Sequence, residues 1–285
     1  MSQIIPESEL ILNKDGSIYH LHLHPDQIGD IIFSVGDPDR VAHVSQYFDS
    51  IDFKGQKREF VTHTGRIGNQ RISAMSTGMG TDNIEIFMTE IDALVNVDLV
   101  NRKVKSNHRS LKIIRLGTSG ALDPDIPVGS LLASETAIGL DTLMQFYPAF
   151  EENQEWGKVI QEGLSLGFLP YQSTASNLLL EKIPSQFHRG VTLTAPGFYA
   201  PQGREIRLAP RISGFFEKLA LLQIDGKRLS NFEMETAGYY AMAKLLGHDV
   251  LSLNAIIANR PLKKFDSEPE KTIDRMILSA FESFG

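Results

Sequence analysis

One short loop combines the side chains needed to hold a flat polar ring. The segment Phe198–Arg204 brings an aromatic ring, a carboxamide and a guanidinium together among Gly and Pro residues. Gln202 offers both a donor and an acceptor, whereas Arg204 offers only donors. Such a pair can read a ring whose edge alternates carbonyl and N–H groups. A pyrimidine base has an edge of this kind.

A second segment, GDPDR at 36–40, follows the apolar run Ile31–Val35, which predicts a buried strand. Ligands of open α/β sheets bind at the carboxyl ends of strands, where helix N-termini also favour anions. Gly36 allows close backbone approach to an anion, and Arg40 can fork onto phosphate oxygens. The alternative is a tight turn with Asp37 as the helix cap and the proline at the first helical position. Both interpretations can hold together.

A third segment, RLGTSG at 115–120, is predicted to lie at the end of another strand. Alternation along that strand puts Arg115 and Gly117 on one side. A guanidinium in an apolar strand is costly to bury unless it meets an anion. Thr118 adds a hydroxyl suited to phosphate or sugar. The alternative for Arg115 is an internal salt bridge to an acid of the chain.

A fourth segment, Asn231–Glu235, leads into a predicted helix. A carboxylate can make charge-assisted hydrogen bonds with sugar hydroxyls. The alternative is an acid placed to suit the helix N-terminus. Spacing favours this alternative for Glu233, whereas for Glu235 both interpretations stay open.

Near the N-terminus, His20, His22 and His24 alternate with apolar residues. Alternate residues of a strand share a face, so a metal site is one interpretation. A metal site usually needs further ligands of matched geometry, and the sequence does not indicate a full set of them here. The favoured interpretation is a half-exposed strand from which one His reaches a ligand.

The elements that position these segments alternate between strands and helices. Strands are predicted at 31–35, 60–67, 71–76, 112–116, 128–138, 191–194 and 250–258, and helices at 41–48, 84–95, 152–168, 234–246 and 272–281. The pair Gly68-Asn69 predicts a hairpin turn. This order predicts an α/β fold with layers around a mostly buried sheet. We expect a single domain over 1–285, with 1–18 as an N-terminal extension and 101–110 as an exposed loop.

Composition narrows the class of protein. The 285 residues carry a net charge of −7, which argues against general nucleic-acid binding. The sequence has no cysteine, which rules out disulfides and thiolate metal sites and suits a reducing cytosol. An apolar run long enough for a membrane span and a secretory signal are both missing from the sequence. We therefore expect a soluble cytoplasmic protein with neither membrane nor nucleic-acid partners.

Taken in order, these segments resemble the nucleoside phosphorylase family, and most closely its uridine phosphorylases. The resemblance extends from about Tyr19 to the last helix. It is carried by seven short motifs: 36–40, 58–60, 76–80, 115–120, 198–204, 231–235 and Asn259-Arg260.

The resemblance implies a single-domain, three-layer α/β/α fold with a mixed, partly barrel-like central sheet. It implies a homodimer or a hexamer whose active sites are shared between subunits. By this resemblance, the phosphate would be bound by Gly36, Arg40, Arg115 and Thr118, with Arg58 supplied by a partner subunit. The ribose would be held by Met234, Glu235, Thr118 and a partner's His20. The base would be held by Phe198, Gln202 and Arg204, with Arg260 behind it.

The reaction implied by the resemblance is the reversible phosphorolysis of uridine to uracil and ribose 1-phosphate, a step of pyrimidine salvage. Arg204, Arg115 and Glu235 would be its catalytic residues, and phosphate would be a co-substrate. Metal ions and organic cofactors are not required by this chemistry. Purine phosphorylases of the family use an acid after the late core strand, and here that strand ends at Asn259-Arg260 without one. The expected base is therefore a pyrimidine.

The sequence departs from the family at several positions. Pro201 stands where glycine is common, and Thr81-Asp82-Asn83 replaces a glycine-rich turn. The second change puts in doubt an interfacial monovalent-cation site, although Glu59 matches one of its ligands. Arg66 is an alternative to Arg58 as the ligand supplied by the partner.

Other functions stay open at this point. The strongest alternative is a phosphorylase of shifted specificity, towards thymidine, deoxyuridine or a purine nucleoside. A nucleoside hydrolase and a non-catalytic nucleoside-binding protein are the others, and the retained arginines count against both.

Overall fold

The fold was taken from a computed structural model, which describes residues 3–148 and 153–285. The strands are β1 (Ile31–Val35), β2 (Ser50–Lys57), β3 (Phe60–Ile67), β4 (Gln70–Ser76), β5 (Val97–Asp98), β6 (Lys103–Val104), β7 (Lys112–Ala121), β8 (Leu131–Gly139), β9 (Tyr171–Thr174), β10 (Phe187–Thr194), β11 (Gln223–Ile224), β12 (Lys227–Glu233), β13 (Asp249–Asn259) and β14 (Lys264–Phe265). The helices are α1 (Asp39–Ser45), α2 (Thr81–Asn96), α3 (Glu155–Leu164), α4 (Asn177–Leu180), α5 (Phe215–Ala220), α6 (Thr236–Leu246) and α7 (Pro269–Phe284).

The central sheet is mixed. Its strand order is β11-β12-β10-β8-β13-β7-β1-β4-β3-β2. Strands β4, β1, β7 and β13 run parallel to one another, so their carboxyl ends meet at one edge. Strand β12 pairs with β7 as well as with β10, which closes part of the sheet into a ring. The single α/β domain with a mixed sheet confirms the predicted fold class.

Helices cover both faces of the sheet because the buried strands alternate their side chains. In β1, Phe33 packs against Phe281 of α7, with ring centroids 4.7 Å apart. The next residue, Ser34, faces Tyr239 of α6 on the other side. Helix α2 packs on α6 through Phe87 and Tyr239, whose ring centroids are 6.1 Å apart. The main apolar core therefore lies between the sheet and these helices.

The predicted elements are found, several with shifted ends. The hairpin turn at Gly68-Asn69 joins β3 to β4, and residues 101–110 are largely exposed around the short strand β6. The helix predicted at 152–168 is α3, and its predicted first residue lies outside the described residues. Leu10 and Ile18 of the predicted N-terminal extension are buried in the main core.

One strand is longer than predicted, and one local prediction is wrong. Strand β7 does not end at Leu116 but continues through residues 117–120 and pairs with β13 along its whole length. Residues His20–His24 do not form a strand. They close a turn in which the N–H of Ile18 donates to the carbonyl of Leu23, the N–H of His22 donates to the carbonyl of Ile18, and His22 adopts a left-handed φ of 54°.

In the described parts of the chain, no helix combines the length and the apolar character needed to cross a bilayer.

Candidate active site

A cavity of about 570 Å³ opens at the edge where β1, β7 and β13 end. Most of the predicted site residues line it: Gly36, Arg40, Arg115, Thr118, Phe198, Gln202, Arg204, Met234 and Glu235. They come from four separate stretches of the chain. The sheet topology brings them together, as the rule for ligand sites in α/β sheets predicts. Arg40 and Arg115 therefore face one shared space.

The turn after β1 supplies one end of the cavity. The backbone of Gly36 lies close to Gly78, since a Cβ at Gly36 would be 3.3 Å from the Gly78 carbonyl oxygen. The side chain of Asp37 accepts a hydrogen bond from the N–H of Asp39 at 3.0 Å, so the predicted capping role is also present. Burial lowers the pKa of Arg40; the charges of Asp37 and Glu270 oppose this, and the positive charge of Arg115 adds a smaller lowering. Two guanidiniums that repel one another here favour an anion between them.

Arg115 is buried and bonded on several sides. Its Nη2 lies 2.5 Å from Oε2 of Glu235 and 3.0 Å from Oε2 of Glu233, and its Nη1 donates to Ser252 and Asn254. Burial alone would lower the pKa of Arg115, but the two glutamates outweigh it and raise the pKa. The internal salt bridge considered for this residue is therefore present. Binding of an anion by Arg115 stays a prediction.

Gly117 and Arg115 lie on the same side of β7, which confirms the prediction from alternation. The guanidinium lies directly over this glycine, so that a Cβ there would be 2.0 Å from Nη1. The absence of a side chain at Gly117 is thus what allows Arg115 to lie flat on the strand.

The two glutamates after β12 have different partners. Glu233 accepts the N–H groups of Glu235 and Thr236 at 2.9 Å, and the hydroxyl of Thr194 at 2.7 Å. Glu233 therefore caps α6, as its spacing predicted. Glu235 accepts the N–H of Gly80 at 2.8 Å through its other oxygen, Oε1. Burial raises the pKa of Glu235 while the charge of Arg115 opposes the rise.

The aromatic loop folds back on itself. The backbone N–H groups of Gln202 and Arg204 both donate to the carbonyl of Tyr199. The buried Gln202 accepts from Nη1 of Arg204 at 2.6 Å, and the guanidinium lies 3.7 Å from the centroid of Phe198. Pro201 packs against Gly197, where a Cβ would be 3.1 Å from its Cγ. The loop thus presents a stacked ring, a guanidinium and an amide together.

Arginine and aromatic side chains alternate behind this loop. Arg204 lies 5.8 Å from the ring centroid of Phe232, and Arg260 lies 5.7 Å from the same ring and 4.6 Å from that of Phe216. Burial lowers the pKa of Arg204 to about 10, and the charge of Arg260 adds to the effect. Arg204 therefore stays cationic at neutral pH, and this end of the cavity is electropositive.

Three predicted site residues lie outside the cavity of their own chain. Arg260 sits behind Gly120, where a Cβ would be 3.7 Å from its Cγ. Arg58 is exposed in the turn between β2 and β3, at the same edge of the sheet as the cavity. His20 lies in the N-terminal turn and contacts Glu90.

Arg66 stands at the opposite end of β3 from Arg58. That strand is eight residues long, or about 26 Å. Arg66 lies beside Arg71 across the hairpin, and its Nε is 4.0 Å from Asp52. Of the two arginines, only Arg58 is near the edge that carries the cavity.

Glu59 lines the cavity and has a polar neighbour. Its Oε1 accepts from the side-chain amide of Asn83 at 3.1 Å. Asn83 belongs to the stretch Thr81-Asp82-Asn83, where the resemblance led us to expect a glycine-rich turn. The side chain of Glu59 is thus hydrogen-bonded within its own chain.

The three N-terminal histidines do not converge on a metal site. Nδ1 of His20 lies 2.7 Å from Glu90, and Nε2 of His22 lies 3.0 Å from Asp15. His24 instead begins a short helical turn with Gln27. The turn conformation separates side chains that a strand would have placed on one face.

A different group, Asp92, His108 and His248, has potential ligand atoms within 4.8 Å of one another, and in the described residues it is the one cluster of this kind. Nδ1 of His248 accepts the N–H of Leu111 at 3.2 Å. In a neutral imidazole the proton then sits on Nε2, which faces Asp92 at 3.3 Å. A metal ligand needs its lone pair at that atom, so the hydrogen bonding of His248 opposes ligation.

Three cavity residues lie outside the seven motifs that sequence reasoning quoted: Ile257, Ala258 and Phe265. Several others, such as Phe232, lie within those motifs but were given no site role. Phe265 could not have been predicted, because the pairing of its short strand β14 with β13 depends on the folded chain.

Comparisons with known proteins agree with this geometry. The model of the phosphorylase superfamily matches residues 30–280. A uridine phosphorylase of Thermococcus kodakarensis is 29% identical over 266 residues, which are 90% of this chain and 83% of the relative. A purine nucleoside phosphorylase of Colwellia psychrerythraea is 25% identical, covering 82% of this chain and 84% of the relative.

Solved structures give the same result. A nucleoside phosphorylase of Trypanosoma brucei, described as showing uridine phosphorylase activity, superposes with a TM-score of 0.85 at 28% identity. The superposition covers 96% of this chain and 99% of the trypanosome protein. Since the family match spans the sheet, the cavity and the motifs that line it, the chain belongs to the phosphorylase superfamily, among its nucleoside phosphorylases, and is an enzyme of the pentosyltransferase class.

Proposed function

We propose that this enzyme catalyses the reversible phosphorolysis of uridine to uracil and ribose 1-phosphate. The observation that carries the proposal is a single cavity lined by two differently equipped groups of residues. Gly36, Arg40 and Arg115 form one group, and Gln202 and Arg204 of the stacked loop form the other. Met234 and Glu235, which also line the cavity, are available to a sugar between them. The uridine phosphorylases among the relatives support the same substrate.

The phosphate would lie between Arg40 and Arg115, with the backbone of Gly36 and the hydroxyl of Thr118 as further donors. One oxygen of this phosphate attacks C1′ of the ribose as the bond from C1′ to N1 of the base breaks. The electron pair of that bond leaves with the base. Positive charge that develops on the ribose is stabilised by the phosphate on one side and by Glu235 near the sugar hydroxyls. Holding both reactants together removes the entropic cost of their encounter.

The departing uracil carries the negative charge. Arg204 and Gln202 would donate to its carbonyl oxygens, with the charge of Arg260 behind them, and Phe198 would stack on its face. Fixed donors aimed at developing charge are a large source of rate enhancement in enzymes. The leaving base takes its proton from solvent, so the step needs no metal ion and no organic cofactor. We propose none for this enzyme, and a monovalent cation at a dimer interface is not part of the proposed chemistry.

The choice of a pyrimidine rests on the cations at the base end. A purine leaving group is assisted by an acid that protonates its ring, and here Arg260 follows β13 where such an acid would stand. Asn259 cannot substitute, since its side chain is bonded to the carbonyls of Asp123 and Ile126 and to the N–H of Leu262. The proposal places the enzyme in pyrimidine salvage, as a homodimer or a hexamer in which a partner's Arg58 completes the phosphate site.

A panel of nucleosides tests the proposal directly. Uridine, deoxyuridine, thymidine, inosine and adenosine are incubated with the enzyme, with and without phosphate, and free base is followed by chromatography. We expect uracil release from uridine that requires phosphate. Release without phosphate would indicate a hydrolase, and faster turnover of purine nucleosides or of thymidine would overturn the base assignment. Release from none of them would overturn the reaction itself.

A further inference from the structure

A chain of polar side chains runs inside the ring that five strands form. Strands β7, β13, β8, β10 and β12 pair in this order, and β12 pairs back with β7. Buried polar side chains of these strands follow one another round the interior at hydrogen-bond distances of 2.5 to 3.3 Å. We call this chain the polar belt, and it consists of Arg115, Asn254, Ser134, Thr192, Asn231 and Ser119.

The guanidinium of Arg115 sets the direction of the first hydrogen bonds in the polar belt. Because a guanidinium can only donate, Oδ1 of Asn254 is the acceptor of its Nη1 at 3.3 Å. The amide nitrogen Nδ2 of Asn254 therefore faces Ser134 and donates to its Oγ at 3.2 Å. The hydroxyl of Ser134 keeps its own proton for Thr192, whose Oγ1 lies 2.5 Å away.

The remaining hydrogen bonds continue in the same direction. The hydroxyl of Thr192 donates to Oδ1 of Asn231 at 2.8 Å, and Nδ2 of Asn231 donates to Oγ of Ser119 at 2.8 Å. The reverse order beyond Ser134 would leave the proton of that fully buried hydroxyl without an acceptor, which costs free energy. The polar belt therefore ends at Ser119 with one proton to spare.

Ser119 lines the cavity, and among the described residues its hydroxyl proton has no acceptor. The next residue, Gly120, pairs with Phe232, whose ring lies 5.8 Å from the guanidinium of Arg204. Hydrogen bonds in a chain polarise one another, so a chain that begins at a cation makes its last hydroxyl a stronger donor. The fold thus presents an unused, directed donor close to the residues proposed to hold the base.

We propose that the hydroxyl of Ser119 donates a hydrogen bond to a carbonyl oxygen of the pyrimidine base, and that the polar belt fixes this direction. The inference rests on the proposed function and adds a contact to the base. The carbonyl oxygens gain negative charge as the base leaves, so a fixed donor there favours the transition state. The interior members of the polar belt do not touch the base and are positioning residues that act through Ser119.

The contact is tested with uridine, 2-thiouridine and 4-thiouridine, since each analogue replaces one carbonyl oxygen with the weaker acceptor sulfur. In Ser119→Ala we expect kcat/KM for uridine to fall about tenfold, the effect of one lost hydrogen bond. For the analogue whose sulfur replaces the contacted oxygen, the fall should be about threefold at most, because that contact is already weak. The ratio of kcat/KM for uridine to that for this analogue therefore drops.

Asn254→Asp tests the polar belt without touching Ser119. The new carboxylate has the size of the amide and stays ionised beside the guanidinium, so it accepts from Ser134 instead of donating to it. Every later hydrogen bond then turns round, each group keeps a partner, and the proton of Ser119 points to Oδ1 of Asn231. The ratio should fall as it does in Ser119→Ala, and the double variant should lower it no further. Phosphate is kept saturating, because the added charge lies beside Arg115.

Thr192→Ser is the matched control. It keeps the hydroxyl that relays the direction through the middle of the polar belt, so the ratio should stay at the wild-type value. Because the ratio compares two substrates on one enzyme, it is independent of the folded fraction of each variant.

The outcomes separate the inference from the function on which it rests. If the ratios for both analogues are unchanged in Ser119→Ala, Ser119 does not contact the base and the inference is wrong. If the ratio falls in Ser119→Ala but not in Asn254→Asp, the polar belt does not direct the contact, which also overturns it. In both cases a wild type that releases uracil from uridine leaves the proposed function standing. A wild type that releases no base from any nucleoside would overturn both.

Discussion

At the scale of single residues, Gly117 shows how the absence of a side chain can position a charge. A Cβ at this position would be 2.0 Å from Nη1 of Arg115 and 2.6 Å from its Cζ. Arg115 cannot move aside without cost, because Ser252, Asn254 and Glu235 hold the guanidinium on its other edges. The strand therefore needs glycine here so that a buried cation can face the cavity.

Gly117→Ala should consequently weaken phosphate binding more than it weakens nucleoside binding. Displacing Arg115 removes a charge-assisted hydrogen bond, and we expect KM for phosphate to rise about 10- to 100-fold. Steady-state kinetics with phosphate as the varied substrate measure the change. Gly120→Ala is the matched control on the same strand, because its Cβ would meet its nearest neighbours at 3.7 Å or more. Equal effects in the two variants would refute the role assigned to Arg115.

The sequence predicted the contents of the site better than its contacts. Alternation correctly put Arg115 and Gly117 on one side of β7, and short motifs identified most of the lining residues. The partners of Arg115 could not be predicted, because Ser252 and Asn254 lie on β13, more than 130 residues away along the chain. Local patterns carry no information about which distant strand becomes a neighbour.

At the scale of elements, Glu233 joins a strand to the helix that follows it. It ends β12, accepts the first N–H groups of α6 and lies against Arg115. Strand β12 itself escaped prediction because three of its five buried residues, Ser230, Asn231 and Glu233, are polar. Asn231, for example, bonds to Thr192 of β10 and to Ser119 of β7. In the sequence, a strand rich in polar residues resembles a loop, because its hydrogen-bond partners lie on strands far away along the chain.

Two replacements of Glu233 should therefore lower the free energy of unfolding by different amounts. Glu233→Gln keeps an oxygen for the helix cap but loses the charge beside Arg115, and we expect a loss of about 1–2 kcal/mol. Glu233→Ala also removes the cap and leaves a buried cation short of a partner, so the loss should reach about 3–5 kcal/mol. Urea denaturation followed by fluorescence measures both. The exposed Glu217→Ala in α5 should stay within about 0.5 kcal/mol, and a Glu233→Ala variant equally close to wild type would show that Glu233 is no cap.

At the scale of the whole molecule, one chain supplies an incomplete set of the residues proposed for the site. Closure of the ring between β12 and β7 brings Phe232 beside Gly120 and so forms the base end of the cavity. Arg58 and His20, in contrast, lie outside the cavity of their own chain. Arg58 is nevertheless exposed at the cavity's edge of the sheet, where a two-fold partner could receive it. This division of residues is the reason for proposing an assembly of subunits.

Subunit mixing tests whether Arg58 acts across an interface. Arg204→Ala removes the contact with the base in a subunit's own site. Arg58→Ala removes the phosphate contact that a subunit supplies to its neighbour's site. Each variant alone should therefore form homo-oligomers that have lost most activity. When the two variants are co-expressed at equal levels, half of the dimers are hybrids. Each hybrid carries one site with both residues intact, so about a quarter of the wild-type uridine phosphorolysis should return.

In the control, Arg204→Ala is co-expressed with Arg66→Ala in place of Arg58→Ala. Arg66 stands at the far end of β3, so its replacement alone should leave activity near that of the wild type. The hybrids of Arg204→Ala and Arg58→Ala are isolated by giving the two subunits different tags and purifying through both, and their activity per dimer should be about half that of the wild type.

Inactive hybrids of this pair would place Arg58 in the site of its own chain. A loss of activity in Arg66→Ala with none in Arg58→Ala would assign the role of the partner's phosphate ligand to Arg66 instead of Arg58. The phosphate would then lie against the opposite end of the partner's hairpin.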